Sequence, residues 1–256
     1  MKASATRIVT ALIAAPVVIY LVYLGGIPFL LGLAVVTVLA QREAYHLLYT
    51  QMDPVVSYLG MGAGLALLVA TSFYEAVWLA AALIILMVCL LPLRKPAEPG
   101  RTLATALAGL IYPVALIGLV ALLRFGNGLA LEEQELFVLT TALLVILWAT
   151  DSAAYFVGRL LGKRPLAPSI SPGKTIEGAL GGVGGAAVAA VAFKILFGDF
   201  VSWIDIVVFV IICGLLSPLG DLAESMLKRS AGAKDSGNIL PGHGGFLDRI
   251  DALIVA

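Results

Sequence analysis

The amino-acid sequence predicts an all-α integral membrane protein, a polytopic bundle of about nine transmembrane helices. Three observations carry that expectation. Of the 256 residues, 61% are hydrophobic and only 12% charged, against about 45–50% and about 25% in ordinary soluble domains. The charged residues cut the chain into uncharged runs near the roughly 20 residues that a helix needs to cross hydrocarbon, where a backbone amide finds no water to pair with. Lysine and arginine are also distributed lopsidedly over the segments between those runs.

The runs can be taken in order. Lys2 and Arg7 precede an apolar stretch that resembles a signal peptide, but more apolar sequence follows instead of a polar domain, so it reads as a retained first span. No charge occurs between Arg7 and Arg42, and Gly25-Gly26-Ile27-Pro28 divides that run into the first and second spans. Pro54 to Tyr74, Ala76 to Leu93 and Thr102 to Leu123 give the third, fourth and fifth. A sixth starts near Leu136 and carries Asp151 towards its end, a seventh follows Lys174, and an eighth runs from about Ile206 to Leu227. A ninth begins near Arg249; Ala252 to Ala256 are too few to cross a bilayer, which leads to the expectation that the natural carboxyl end lies beyond the sequence given. Residues 1–130 are expected to form an amino-terminal group of about five spans, and residues 131–256 a carboxyl-terminal group carrying the chemistry.

Sorting the cations orients the bundle. One side collects Lys2, Arg7, Arg42, Arg94, Lys95, Arg101, Arg159, Lys163, Arg164, Lys174, Lys228, Arg229, Lys234 and Arg249; the other holds only Arg124 and Lys194. The rich side is expected to face the cytoplasm, which puts the amino terminus inside. A net charge of zero offers no basic field for nucleic acid. Cys89 and Cys213 both lie in apolar runs and read as small hydrophobic side chains. Gly60 with Gly64, and Gly181 with Gly185, open smooth stripes for close helix packing. The run Gly181 to Gly185 lacks the Gly-Lys-Ser/Thr ending of a phosphate-binding loop and lies in an apolar span.

The chemistry concentrates between Gly220 and Asp251. Asp221, Glu224 and Lys228 recur at three and four residues and so share one helix face. Asp221 lies inside a helix, where a lone carboxylate must be protonated or meet a cation; a divalent metal meets that need. Asp248 and Asp251 open the last helix three residues apart, with capping of that helix as the alternative role for either. Gly242, Gly244 and Gly245 around His243 let main-chain amides approach an anion. Ser171-Pro172-Gly173-Lys174-Thr175 reads as a helix start with Ser171 as cap, and Lys174 and Thr175 add a charge and a hydroxyl suited to a phosphate. Asp151 closes the set. Glu43 and His46 have metal-like spacing, but beside Arg42 they read as an interfacial polar cluster and are left out of the active site. Carboxylates to hold magnesium and cations to neutralise phosphates are what phosphoryl and nucleotidyl transfer need.

Ser225-Met226-Leu227-Lys228-Arg229, Lys234-Asp235, Pro241, His243-Gly244-Gly245 and Asp248-Arg249-Ile250-Asp251 together resemble the signature of the CDP-diacylglycerol synthases, without departure across that stretch. The segment from Ser171 to Gly178 and the region of Asp151 are similar to that family too, whereas in the amino-terminal half only the number and character of the spans agree. The resemblance implies phosphatidate cytidylyltransferase activity, in which CTP and phosphatidic acid give CDP-diacylglycerol and pyrophosphate. It further implies a requirement for magnesium, with a second cation left open, and a polytopic, often homodimeric, protein in contact with membrane lipids. On this reading Asp221 and Asp248 are metal ligands. Lys174, Lys228, Arg229, Lys234 and Arg249 hold phosphates, and Asp151, Asp235 and Asp251 bind metal or position those bases. His243 orients a phosphate, and Ser171, Thr175, Gly244 and Gly245 bind substrate. The rivals are a lipid kinase and a transporter or channel; an ion path would place polar groups at mid-membrane, whereas these gather on one face.

Overall fold

The computed structural model describes residues 2–73, 76–126, 131–197, 200–233, 235–237 and 245–248. Its helices are α1 (Lys2–Leu24), α2 (Gly26–Leu48), α3 (Pro54–Ala70), α4 (Ala76–Arg94), α5 (Pro99–Gly109), α6 (Leu116–Phe125), α7 (Glu133–Leu161), α8 (Ile176–Phe197), α9 (Trp203–Phe209) and α10 (Ser217–Ser230). Wider π-helical turns, Leu110–Ala115 and Val210–Leu216, join α5 to α6 and α9 to α10. Both lie beside a proline. Pro113 is inside the first and Pro218 stands two residues past the end of the second, and a proline ring lacks an N–H and crowds the carbonyl four residues earlier, so the helix widens there. Joined in this way, six helices are long and apolar enough to cross a membrane: Gly26–Leu48, Ala76–Arg94, Pro99–Phe125, Glu133–Leu161, Ile176–Phe197 and Trp203–Ser230. Ile13–Leu24 and Pro54–Ala70 are shorter apolar helices. These segments coincide with the first eight expected spans; the ninth lies outside the described residues. Side chains such as Trp78, Leu160, Ile195 and Ile204 are more than 70% exposed, as lipid-facing positions are in a protein of this class.

The chain divides into two compact units, Met1–Leu131 with Ala233–Arg249, and Glu132–Gly232 with Ile250–Ala256.

In the first unit, Gly25 and Gly26 adopt positive φ of 59° and 45° and turn the chain tightly from α1 into α2, a conformation that other residues enter only under strain. Arg124 packs its guanidinium beside Gly25 and donates from Nε to the carbonyl of Val22 at 2.7 Å, satisfying one carbonyl at the end of α1. Val56, Met87, Leu91 and Ala106 form a buried cluster of α3, α4 and α5. The stripe of Gly60 and Gly64 works differently from the expected backbone-to-backbone packing: it receives the side chains of Gln41 and Tyr45 from α2. Gln41 Nε2 donates to Tyr45 Oη at 2.7 Å and to the carbonyl of Gly60 at 2.9 Å, and Tyr45 Oη donates to the carbonyl of Ala106 at 3.4 Å. Polar groups in an apolar surrounding are costly unless paired in this way.

Asp53 ends the loop before α3. It accepts from the N–H groups of Val55 and Val56 at 2.9 and 3.3 Å, and pairs with Arg94 at the end of α4 at 3.0 Å. Burial alone raises its pKa, but the Arg94 bond and the two backbone N–H groups outweigh that and hold the carboxyl below its ordinary value. A folded pKa below the unfolded one, about 3.9, means that the stabilisation is complete above the unfolded value and disappears as pH falls through the folded value. Asp53→Ala is therefore expected to cost about 1 kcal/mol at neutral pH, with the difference from the parent shrinking below about pH 4; thermal unfolding in detergent across pH reads both.

In the second unit, α7 and α8 pack along glycine and alanine. An added Cβ at Gly182 would stand 3.3 Å from Ala154 Cβ and 3.4 Å from the Thr150 carbonyl, and one at Gly185 would stand 3.0 Å from the Ala149 carbonyl. The Gly181–Gly185 stripe thus serves close helix approach, as its spacing predicts.

One local expectation is overturned here. Ser171–Thr175 is a strand, β2, antiparallel to β1 (Pro165–Ala167), and Ser171 is not a helix cap. The helix starts four residues after Pro172, at Ile176, and the cap is Thr175, whose Oγ1 accepts from Gly178 N at 3.1 Å. Backbone pairing decided the outcome: Ile170 N donates to the Ala167 carbonyl at 3.1 Å across the turn, and Ile176 N to the Arg164 carbonyl at 2.9 Å. A proline is tolerated at Ser171-Pro172 because this ribbon has open edges.

Candidate active site

The site residues are best built up within each unit. In the second unit, the hairpin hands Lys174 to α10. Lys174 Nζ makes an ion pair with Asp221 Oδ2; the two side chains keep 26% and 34% of their surface, while the Lys174 ammonium itself is buried. Asp151, from the interior of α7, lies within electrostatic reach of both. Three separate stretches of sequence therefore place two carboxylates and one ammonium together, as the sequence implies.

Further along the same face of α10, Lys228 Nζ stands 3.5 Å from Oε1 of the fully buried Glu224, one helical turn before it. Arg229 remains exposed and donates from Nε to the carbonyl of Ile170 in the hairpin turn at 3.4 Å. Thr175 is occupied as a helix cap, and its Oγ1 is enclosed by Gly158, Gly162 and Gly178. Glu177 ties the strand entry down: its carboxylate accepts from Lys163 N and Arg164 N at 3.0 and 3.1 Å and from Arg164 Nε at 3.0 Å.

Magnesium needs one or two carboxylates and completes its shell with water and substrate phosphates. Asp151 and Asp221 supply such a donor set. One helical turn before Asp221, on the same face of α10, the Ser217 hydroxyl is fully buried with no hydrogen-bond partner among the described residues. Among the described residues no group of three or more His, Cys, Asp or Glu side chains could hold a metal. The residues fit a cation shared with a nucleotide better than one enclosed by protein alone.

In the first unit, Asp248 is held by backbone. Its Oδ2 accepts from Ser236 N at 3.0 Å and Gly245 N at 2.8 Å. The bond to Gly245 reaches three residues back along the chain; the amides ahead of Asp248, which the capping alternative would engage, lie outside the described residues. Asp235 is exposed. Lys234, Gly242, His243, Gly244, Arg249 and Asp251 lie outside the described residues. Asp221 belongs to the second unit and Asp248 to the first.

Sequence reasoning reads Glu43 as part of an interfacial polar cluster; the structure buries it against distant backbone. Glu43 is 5% exposed near the end of α2. Its Oε1 accepts from Phe246 N at 2.9 Å; its Oε2 accepts from Leu247 N at 2.8 Å and Ser236 Oγ at 2.9 Å. Its neighbours Gln41, Arg42 and His46 make the segment read as a polar helix end, so no local signal marked it. Its hydrogen-bond partners lie 193 to 204 residues away, beyond the reach of any local pattern.

A polytopic helical bundle with carboxylates beside cations defines a membrane enzyme of phosphate chemistry, and comparison with known proteins gives the particular kind. A model of the cytidylyltransferase family matches residues 5–256. The phosphatidate cytidylyltransferase of Bacillus subtilis is 37% identical over 254 residues, covering 97% of this chain and 93% of its own. Those of Brucella suis and Pseudomonas aeruginosa are 36% and 35% identical, each covering 98% of this chain and, respectively, 89% and 93% of their own. The chain belongs to the cytidylyltransferase family, and with it to the nucleotidyltransferases.

Proposed function

We propose that this protein is a phosphatidate cytidylyltransferase of the cytoplasmic membrane, moving CMP from CTP to phosphatidic acid to give CDP-diacylglycerol and pyrophosphate. The observation that carries the reading is the pairing of Lys174 with Asp221 beside Asp151 in a helical bundle with lipid-type surfaces. The names of the relatives support the choice of substrates. The excess of cations on one side supports an active site facing the cytoplasm, where CTP is found and where the phosphate of the lipid meets water. A homodimer is part of the same proposal, as is contact with surrounding lipids.

The transfer is an in-line displacement. An ionised phosphatidate oxygen forms a bond to the α-phosphorus of CTP, and the bond from that phosphorus to the β-bridging oxygen breaks, its electron pair leaving with pyrophosphate. The attacking oxygen already carries its charge, so no strong general base is needed, and His243 is assigned to orienting a phosphate. Lys174, Lys228 and Arg229 neutralise phosphate charge, as do Lys234 and Arg249 by their match to the signature. Asp221 and Asp151 are the metal ligands of the second unit, and Asp248 is assigned the same role in the first on its signature position. Asp235 and Asp251 position these cations, and Ser171, Thr175, Gly244 and Gly245 take substrate-binding roles, Thr175 through its hold on the strand that carries Lys174. Magnesium, when bound, would neutralise phosphoryl oxygens and lower the charge barrier to attack.

The test uses sealed membrane vesicles. With phosphatidate present, CTP added outside inverted vesicles is expected to yield CDP-diacylglycerol, and the same addition to right-side-out vesicles to yield none until the membrane is permeabilised. Removal of divalent cations with EDTA is expected to stop the reaction, and magnesium to restore it. Activity in intact right-side-out vesicles would contradict the cytoplasmic site; activity persisting in EDTA would contradict the metal requirement.

A further inference from the structure

We infer that Glu43 is a positioning residue: it anchors the turn at residues 245–248 beside Ser236 and so sets the direction of the Asp248 carboxylate. The metal-binding part of the inference rests on the reading under Proposed function; the anchoring part does not. Both oxygens of Glu43 are used, Oε1 by Phe246 N and Oε2 by Leu247 N and Ser236 Oγ, at 2.8–2.9 Å. The carboxylate thus takes the two amides immediately before Asp248 and the hydroxyl of the residue whose own N–H binds Asp248. Asp248 and Glu43 grip the same turn from two directions, and Ser236 is common to both.

Glycine makes room for this arrangement. A Cβ added at Gly237 would stand 2.5 Å from Glu43 Oε1, and one added at Gly245 would stand 2.5 Å from Oε2. The two glycines therefore allow the carboxylate to come this close, a physical reason for their places that anion binding does not supply. A buried acid that accepts two hydrogen bonds from one turn and a third from Ser236, with both oxygens engaged, is placed to hold that turn rather than to meet substrate.

The charge of Glu43 matters as well as its shape. Glutamine has one acceptor oxygen and one amide donor, so in Glu43→Gln a donor must face either Phe246 N or the Leu247 N and Ser236 Oγ pair. Removing the partner of a ligand that holds metal commonly weakens metal binding about 10–100-fold.

Two measurements on the purified full chain test this. Hydrogen exchange at the Phe246 and Leu247 amides is expected to be slow in the parent and clearly faster in Glu43→Gln. Mn2+ binding followed by electron paramagnetic resonance is expected to weaken about tenfold in the variant, with melting in detergent showing that it is folded. Unchanged exchange and unchanged Mn2+ affinity in folded Glu43→Gln would overturn the inference, as would a lower melting temperature with neither readout moved. If Glu43→Gln does not fold, Ser236→Ala carries the test, since it deletes one bond to Glu43 and keeps the Ser236 N–H on Asp248; a smaller shift in the same direction is expected, and no shift overturns the proposal. Should the parent bind no Mn2+, the metal assignment of Asp248 fails, and the exchange comparison alone decides whether Glu43 anchors the turn.

Discussion

Asp221→Asn is expected to lower CMP transfer by about 10²–10³-fold or more, with the protein still folded. The size follows from what the charge does. Asp221 is the acid that meets Lys174 and lies beside Asp151, and displacement at a phosphorus surrounded by anionic oxygens depends on charge stabilisation more than on proton transfer. Asparagine keeps the shape and one acceptor oxygen but neither balances Lys174 nor binds a divalent cation with comparable strength. The Lys174 ammonium is buried beside Asp221, so losing the carboxylate is expected to cost some stability as well, and melting in detergent checks that the variant remains folded. Steady-state turnover at saturating CTP and phosphatidate reads the loss, and near-normal turnover would remove Asp221 from the metal site.

Asp248→Asn is expected to produce a loss of the same order, for a reason that separates charge from geometry. The bonds from Ser236 N and Gly245 N both end on Oδ2 of Asp248, and the single oxygen of an asparagine can take over both. The turn is therefore expected to persist at a stability cost of about 1 kcal/mol, the difference between a charged and a neutral acceptor, while turnover falls about 10²-fold. Melting in detergent and turnover measured on the same preparation check the two halves. Glu43→Gln should behave in the opposite sense at its own position, because both oxygens of Glu43 are engaged and the amide group of glutamine cannot replace one of them. A variant of Asp248 that unfolds outright would mean that the carboxylate serves structure first.

The bundle was legible because lipid leaves the chain few options. Spans bounded by Arg42, Arg94 or Arg101 can be read from the charges alone, and the Gly25-Gly26 turn and the Gly181–Gly185 packing stripe follow from residue size. Two kinds of feature were not legible. The hairpin of Pro165–Ala167 with Ser171–Thr175 overrode a plausible helix cap at Ser171, since local cap chemistry and cross-strand pairing compete for the same amides and only the fold decides between them. Glu43 was hidden for the opposite reason, because its partners Ser236, Phe246 and Leu247 are distant in sequence. Of the candidate site, Lys174, Asp221 and Asp151 were found from the sequence and do come together, since an acid in an apolar helix advertises its need for a partner.

The most direct test of CMP transfer is to give purified protein, phosphatidate and magnesium either CTP labelled at the α-phosphorus or CTP labelled at the γ-phosphorus, and to count label in the extracted lipid. The account predicts α-label in the lipid product and γ-label in released pyrophosphate. Label entering lipid from the γ position, as a lipid kinase would place it, or no label in lipid from either, would contradict it.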